Sequence, residues 1–404
     1  MSRPTRTVSA PLGFSAAGGA FGLKASGRPD LALIVADEPC RAAAVFTRHQ
    51  IPSAPVILGR RNLAGGRCRA IVCNSGQANA STGKRGLQDA QQMCRQVAAH
   101  LGCPARQVLA CSTGVIGDPL PMTKLLKGID QLVPRLDRSQ LTDALAARAI
   151  MTTDLAPKAV VRRVKISNHT VTLGAIAKGS GMIAPNMGTM LAFVTTDADL
   201  SLPLLRSALR EAVDADISLN RMSVDTDTSP SDTVALLASA QAGHRPIRRR
   251  NDNYRKFAAA LTRVCQDLAH QIMSDGEGVT RVIRVAVSGA RSHAQALTVA
   301  RSVADSPLVK TAVHGADPNW GRLTMAAGKA DAQVRPEKLS IRIGNISVYR
   351  RGQPVAADAR RLKQLMKKPQ VTLHFDLGVG SGRCEVLGCD LSRQYVSINA
   401  DYRT

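Results

Sequence analysis

The sequence predicts a layered α+β protein, and three observations carry the prediction. Helical periodicities and hairpin-type strand pairs are mixed along the chain, without the regular alternation of a βαβ wind. Aromatics make up only 3% of the residues while Ala, Val, Leu and Gly are plentiful, which suits tightly packed α/β layers. The chain is 404 residues long with 44% hydrophobic content, enough for a large core split into two or three domains.

From Val45 to Gly83 the chain reads as short strands and loops, with apolar Ala70–Cys73 running into the turn-forming segment Asn74–Asn79. Gly86–Leu101 has helical spacing, placing Met93, Val97 and Leu101 on one face. Val108–Cys111 is a strand that enters a turn at Ser112–Gly117. Helices are expected at Met122–Leu132 and Ser139–Ile150, the second opened by a Ser cap. Ala159–Ile166 and Thr170–Ala177 form a hairpin through Ser167-Asn168. Leu204–Val213 and Tyr254–Met273 are amphipathic helices. Then come a strand at Thr280–Ser288, a helix at His293–Ala304 and a second hairpin within Leu339–Val348. Helix Asp358–Met366 and strands from Val371 close the chain, and there is no internal repeat, heptad run or low-complexity linker.

The net charge of +24 is the compositional anomaly. The basic residues are dispersed, the densest run being His244–Arg250, and no nucleic-acid motif or aromatic platform accompanies them. A cationic enzyme surface that attracts small carboxylates fits better than a nucleic-acid partner, and a basic, non-enzymatic binding protein is the competing class. No apolar run is long enough to span a membrane, and the N-terminal stretch lacks a signal-peptide core. Nine Cys without ligand spacing, with Cys103, Cys111 and Cys265 read as small core residues, fit a reducing cytoplasm and no metal site. Asp225, Asp227 and Asp232 lack the Gly and Glu positions of an EF-hand and read as turn-forming residues. The glycine pairs match neither GxGxxG nor a P-loop, so no nucleotide cofactor is expected. Asp317–Arg322, with the chain's single Trp, reads as a packed turn near the site.

The most informative stretch is Lys178–Asp197, which joins a Gly-rich turn to an apolar β-type run. Gly188 before Thr189 leaves an uncrowded carbonyl that the threonine hydroxyl can attack. That attack turns the peptide into an ester, which water opens. Thr189 is then left with a free α-amine beside its hydroxyl, the amine serving as general base for a weak nucleophile. A Gly-rich loop feeding a buried strand over Met190–Val194 is the plainer reading of the same residues.

This stretch resembles the self-cleavage segment of the ornithine acetyltransferase family, the glutamate N-acetyltransferases of arginine biosynthesis. The resemblance runs the length of the chain: Gly27–Ile34, Val45–Val56, Asn74–Gly83, Ser112–Gly117, Met151–Asp154, Asn220–Val234, Gly276–Thr280, Ala316–Arg322 and Tyr395–Thr404. It implies a sandwich of central mixed sheets between helical layers, of the aminopeptidase and ornithine-acetyltransferase type. Self-cleavage after Gly188 would give an α fragment, 1–188, and a β fragment, 189–404, interlocked in one body and paired into an α2β2 heterotetramer. By the same resemblance Thr189 is the acetyl-accepting nucleophile, and Thr113 and Gly114 form the oxyanion hole. Thr152, Lys178, Glu277, Asn399 and Thr404 contact substrate, Lys178 at a carboxylate and Glu277 at the ornithine ammonium. Ala184 stands where many members have His. The implied reaction moves acetyl from N2-acetyl-L-ornithine to L-glutamate, with acetyl-CoA open as a further donor. A related N-terminal-nucleophile amidase or aminopeptidase is the enzymatic alternative.

Overall fold

The computed structural model describes residues 6–184 and 190–401. Gly188, Thr189 and Thr404 therefore lie outside the described residues. Eight strands form one mixed sheet: β1 (Phe14–Gly19), β2 (Leu31–Phe46), β3 (Arg67–Gln77), β4 (Val108–Val115), β5 (Lys158–Ile166), β6 (His169–Lys178), β7 (Leu191–Thr196) and β8 (Thr233–Ala238). Their order is β4-β3-β2-β8-β7-β6-β5, with β1 also paired to β2.

Side-chain alternation shows how this ladder is folded. β2 pairs with β3 over Leu31–Val35 and with β8 over Arg41–Phe46, and its register to β3 slips between Val35 and Cys40. Such irregularities bend a strand. The two halves of the sheet then lie face to face: Ile34, Ile71, Leu109 and Cys111 share one buried cluster with Ile176, Leu191, Phe193, Ala235 and Leu237. The alternate residues point outward, as the period of two requires. Leu33, Val72 and Ala110 meet helices Gly83–Leu101 and Met122–Leu132. Ala175, Val194 and Leu236 meet helices Leu202–Asp214 and Asp252–Ser274. The result is helix, sheet, sheet, helix, the layered sandwich the sequence implied.

A second sheet is built from β9 (Val282–Ala290), β10 (Ser340–Ile343), β11 (Ile346–Arg350), β12 (Gln353–Pro354), β13 (Gln370–Asp376) and β14 (Gly382–Cys389). Its order is β12-β11-β10-β13-β9-β14, and β9 and β13 run parallel. Helices His293–Ala304, Pro307–His314, Trp320–Gly328 and Ala359–Met366 pack on it around a separate core.

Three expectations need correction. Ala54–Asn62 is a helix, not strand and loop; Pro55 opens it, and Val56 and Leu58 are buried. Asn74–Gln77 and Ser112–Val115 are strand rather than turn, because parallel β3 and β4 pair along both segments. Gly76 and Gly114 face each other there, both at φ 124, and a Cβ on Gly114 would come within 2.4 Å of the Gly76 backbone. Only glycine tolerates that pair. Finally, Trp320 begins a helix and stacks on Tyr349 of the second sheet, at 5.6 Å between ring centroids, and does not line the pocket described next.

Candidate active site

The inner rows of the sandwich end in polar residues. On β6 the residue two beyond Ile176 is Lys178, and on β4 the residue two beyond Cys111 is Thr113. By the same alternation both point between the two halves of the folded sheet, where the apolar filling stops. They meet there: Lys178 Nζ donates to Thr113 Oγ1 at 3.3 Å, and both side chains are buried. With its oxygen accepting from Lys178, the Thr113 hydroxyl keeps its own proton to give elsewhere.

This meeting point is the wall of a pocket of about 160 Å³. Thr113, Gly114, Thr152, Lys178, Glu277 and Asn399 all line it, so every described residue expected at the site is brought to one cavity. Met190 and Leu191 line it as well, and Leu191 pairs with Lys178 across β6 and β7. Glu277 approaches from beyond the end of helix Asp252–Ser274; its backbone N–H donates to Ser180 O at 3.0 Å. Gly181 makes room for it, since a Cβ there would lie 2.3 Å from Glu277 Oε2. Asn399, on helix Arg393–Asp401, donates to the same Oε2 at 2.9 Å.

Residues that sequence reasoning did not place complete the site. Asp154 is buried behind Lys178 and accepts from Lys158 Nζ at 2.5 Å, Gly179 N–H at 2.7 Å and Thr152 N–H at 2.9 Å. Burial alone would raise its carboxyl, but Lys178, Lys158 and these bonds together hold it down to about 2. One buried carboxylate thus fixes both the Thr152 loop and the backbone after Lys178. It sits in Met151–Asp154, a segment that had marked the resemblance without being given this role.

Asp225, Asp227 and Asp232 also line the pocket. The turn role expected of them is only part of their place. Asp225 does bond locally to Asp227 N–H at 3.3 Å, but it also accepts from Met182 and Ile183 N–H at 2.7 Å each. Burial raises its carboxyl, partly offset by those bonds. Tyr395, also missed, lines the cavity; burial, followed by Asp225, Asp227 and Glu277, pushes its hydroxyl pKa up. The pocket is therefore lined by one buried lysine, Lys178, and by the carboxyl groups of Glu277, Asp225, Asp227 and Asp232.

A sequence model described as the ArgJ family matches residues 15–404. The arginine biosynthesis bifunctional protein ArgJ of a Synechococcus species is 46% identical, over 98% of this chain and 97% of that one. Its counterpart in Symbiobacterium thermophilum is 45% identical, over 98% of each. Among solved structures, the crystal structure of the arginine biosynthesis bifunctional protein ArgJ of Bacillus halodurans is similar at 39% identity. That match covers 53% of this chain and all of the other, with a TM-score of 0.51.

Proposed function

This chain belongs to the ArgJ family, and on that premise we propose that its pocket is the acetyl-transfer site of an arginine-biosynthesis acyltransferase. The observation that carries the reading is one pocket lined by both a buried lysine and carboxyl groups, beside the Thr113 hydroxyl and Gly114. An α-amino acid or its N-acetyl derivative presents a carboxylate to Lys178, while the ornithine side-chain ammonium suits Glu277. Thr189, directly before the pocket-lining Met190, attacks the acetyl carbonyl of N2-acetyl-L-ornithine after self-cleavage at Gly188–Thr189. The Thr113 hydroxyl and the Gly114 N–H stabilise the negative oxygen that develops. Ornithine leaves, L-glutamate enters the same pocket, and the acetyl ester passes to its amine. Thr152, Asn399 and Thr404 contact the substrate. Acetyl-CoA as a second donor, the α (1–188) and β (189–404) fragments and their α2β2 pairing belong to the same reading.

The test is to mix purified protein with N2-acetyl-L-ornithine in the absence of acceptor. A fragment beginning at Thr189 should gain one acetyl group by mass, and glutamate should remove it as N-acetylglutamate. Active enzyme consisting only of full-length chain, or acetate released to water with glutamate ignored, overturns the proposal.

A further inference from the structure

Asp232 precedes β8 and stands beside the start of β7. Thr47 N–H donates to its carbonyl at 3.0 Å, and the following Thr233 N–H donates to Met190 O at 3.0 Å, so its backbone is fixed. Its side chain is 2% exposed and lines the pocket. Its Oδ2 is buried with no hydrogen-bond partner among the described residues, and the same holds for the adjacent Ser231 Oγ. The other pocket carboxyls differ: Glu277 is bonded to Asn399, Asp225 to three backbone N–H groups, and Asp227 is exposed. A buried carboxyl oxygen left without a partner is costly in a folded protein, and such an exception calls for an explanation.

We propose that Asp232 is a second proton-transfer residue of the pocket, serving the nitrogen of the substrate while the Thr189 amine serves the hydroxyl. The inference rests on the acetyl-transfer reading above. In the first half-reaction the Thr189 oxygen bonds to the acetyl carbon and its proton passes to the Thr189 α-amine. The carbon–nitrogen bond then breaks, and the neutral Asp232 carboxyl gives its proton to the leaving nitrogen, so that ornithine departs as a free amine. The carboxylate left behind is stabilised by the charge of Lys178. In the second half the glutamate amine bonds to the acetyl carbon and loses a proton to Asp232, and the Thr189 ammonium returns its proton to the departing hydroxyl oxygen. Every proton is back in place after one cycle. Burial, only partly offset by a bond from Ser229, the charge of Lys178 and the Met190 backbone, pushes the carboxyl well above the usual carboxylate range, which suits the donor it must be at the start.

The test uses Asp232→Asn, which keeps shape and hydrogen bonding but cannot release a proton. Rates are taken per processed chain, with two acetyl donors. Turnover of N2-acetyl-L-ornithine to glutamate should fall about 10²–10⁴-fold, as for loss of a general acid. Acetylation by 4-nitrophenyl acetate, whose leaving group departs without a proton, should stay within a few-fold of wild type. Wild-type turnover of acetylornithine by the variant, or equal loss with both donors, overturns the proposal. Should Asp232→Asn fail to process, Asp232→Glu decides: recovered transfer supports the proton role, and a processed but inactive Glu variant sinks it. Failure of the wild type to accept acetyl from acetylornithine counts against the transfer reading itself.

Discussion

The two sheets bury themselves differently, and the difference locates the site. The first is folded on itself and covered outside by helices, so β7 and β8 are buried at every residue. The second keeps one face partly open, and β9 and β13 alternate between buried and accessible positions. On an open face a polar side chain says little, because half the positions are polar anyway. In the closed sandwich a polar side chain on an inner row is an exception that needs a partner. Lys178 and Thr113 are such exceptions, and each is the other's partner. The pocket begins where the apolar rows run out.

Substitutions separate the two regions, starting with the greatest expected loss. Thr189→Ala should abolish both processing and transfer, read by intact mass and by N-acetylglutamate formation, with the sandwich itself intact by circular dichroism. Thr113→Ala should lower turnover about 10²–10³-fold with little change in melting temperature, as for one oxyanion donor. Unchanged turnover would return Thr113 to a purely structural role. Phe193→Ala, in the closed seam, should cost about 3–5 kcal/mol in denaturant unfolding. Asp154→Asn should cost about as much at neutral pH, since it leaves Lys158 and Lys178 short of a buried counter-charge. That penalty should shrink in acid. The folded carboxyl lies near 2, below its unfolded value of about 4. Its contribution is therefore full above about pH 4 and is lost as pH falls through about 2. A pH-independent penalty would contradict the ion-pair account. The smallest effect belongs to the second sheet: Trp320→Ala, at a partly exposed helix start against Tyr349, should cost less than Phe193→Ala, the aromatic pair itself being worth about 0.5–1.5 kcal/mol, and leave turnover alone.

Elements whose signals are local were legible in the sequence. Helix His293–Ala304 is legible to the residue, and the structure shows why: Ser292 caps it and its Ala and Val recur on one face. The β5–β6 hairpin announced itself through Ser167-Asn168, where Ser167 takes φ 53. Helix Ala54–Asn62 was missed because no side chain caps its start and its apolar run has no clear period. The ends of β3 and β4 were missed because their hydrogen bonds come from a parallel neighbour distant in sequence. The site divides in the same way. The resemblance marked Thr113, Lys178 and Glu277, which the fold gathers into one pocket. Asp154, Tyr395 and Asp232 acquire their place only when separate segments converge, and the spacing of DTDTSPSD pointed no further than turns.

The position of β7 and β8 gives the proposed self-cleavage a consequence for folding. Their sheet neighbours, β6 and β2, both precede the Gly188–Thr189 junction, so a cut there leaves β7 and β8 as two strands of one polypeptide held between strands of another. The uncut chain assembles this arrangement as a first-order event, at a rate indifferent to dilution. Once cut, two separate molecules must find each other to rebuild it, and recovery from unfolding slows as the solution is diluted. The mature protein would thus be secured by its barrier to coming apart more than by its ability to re-form.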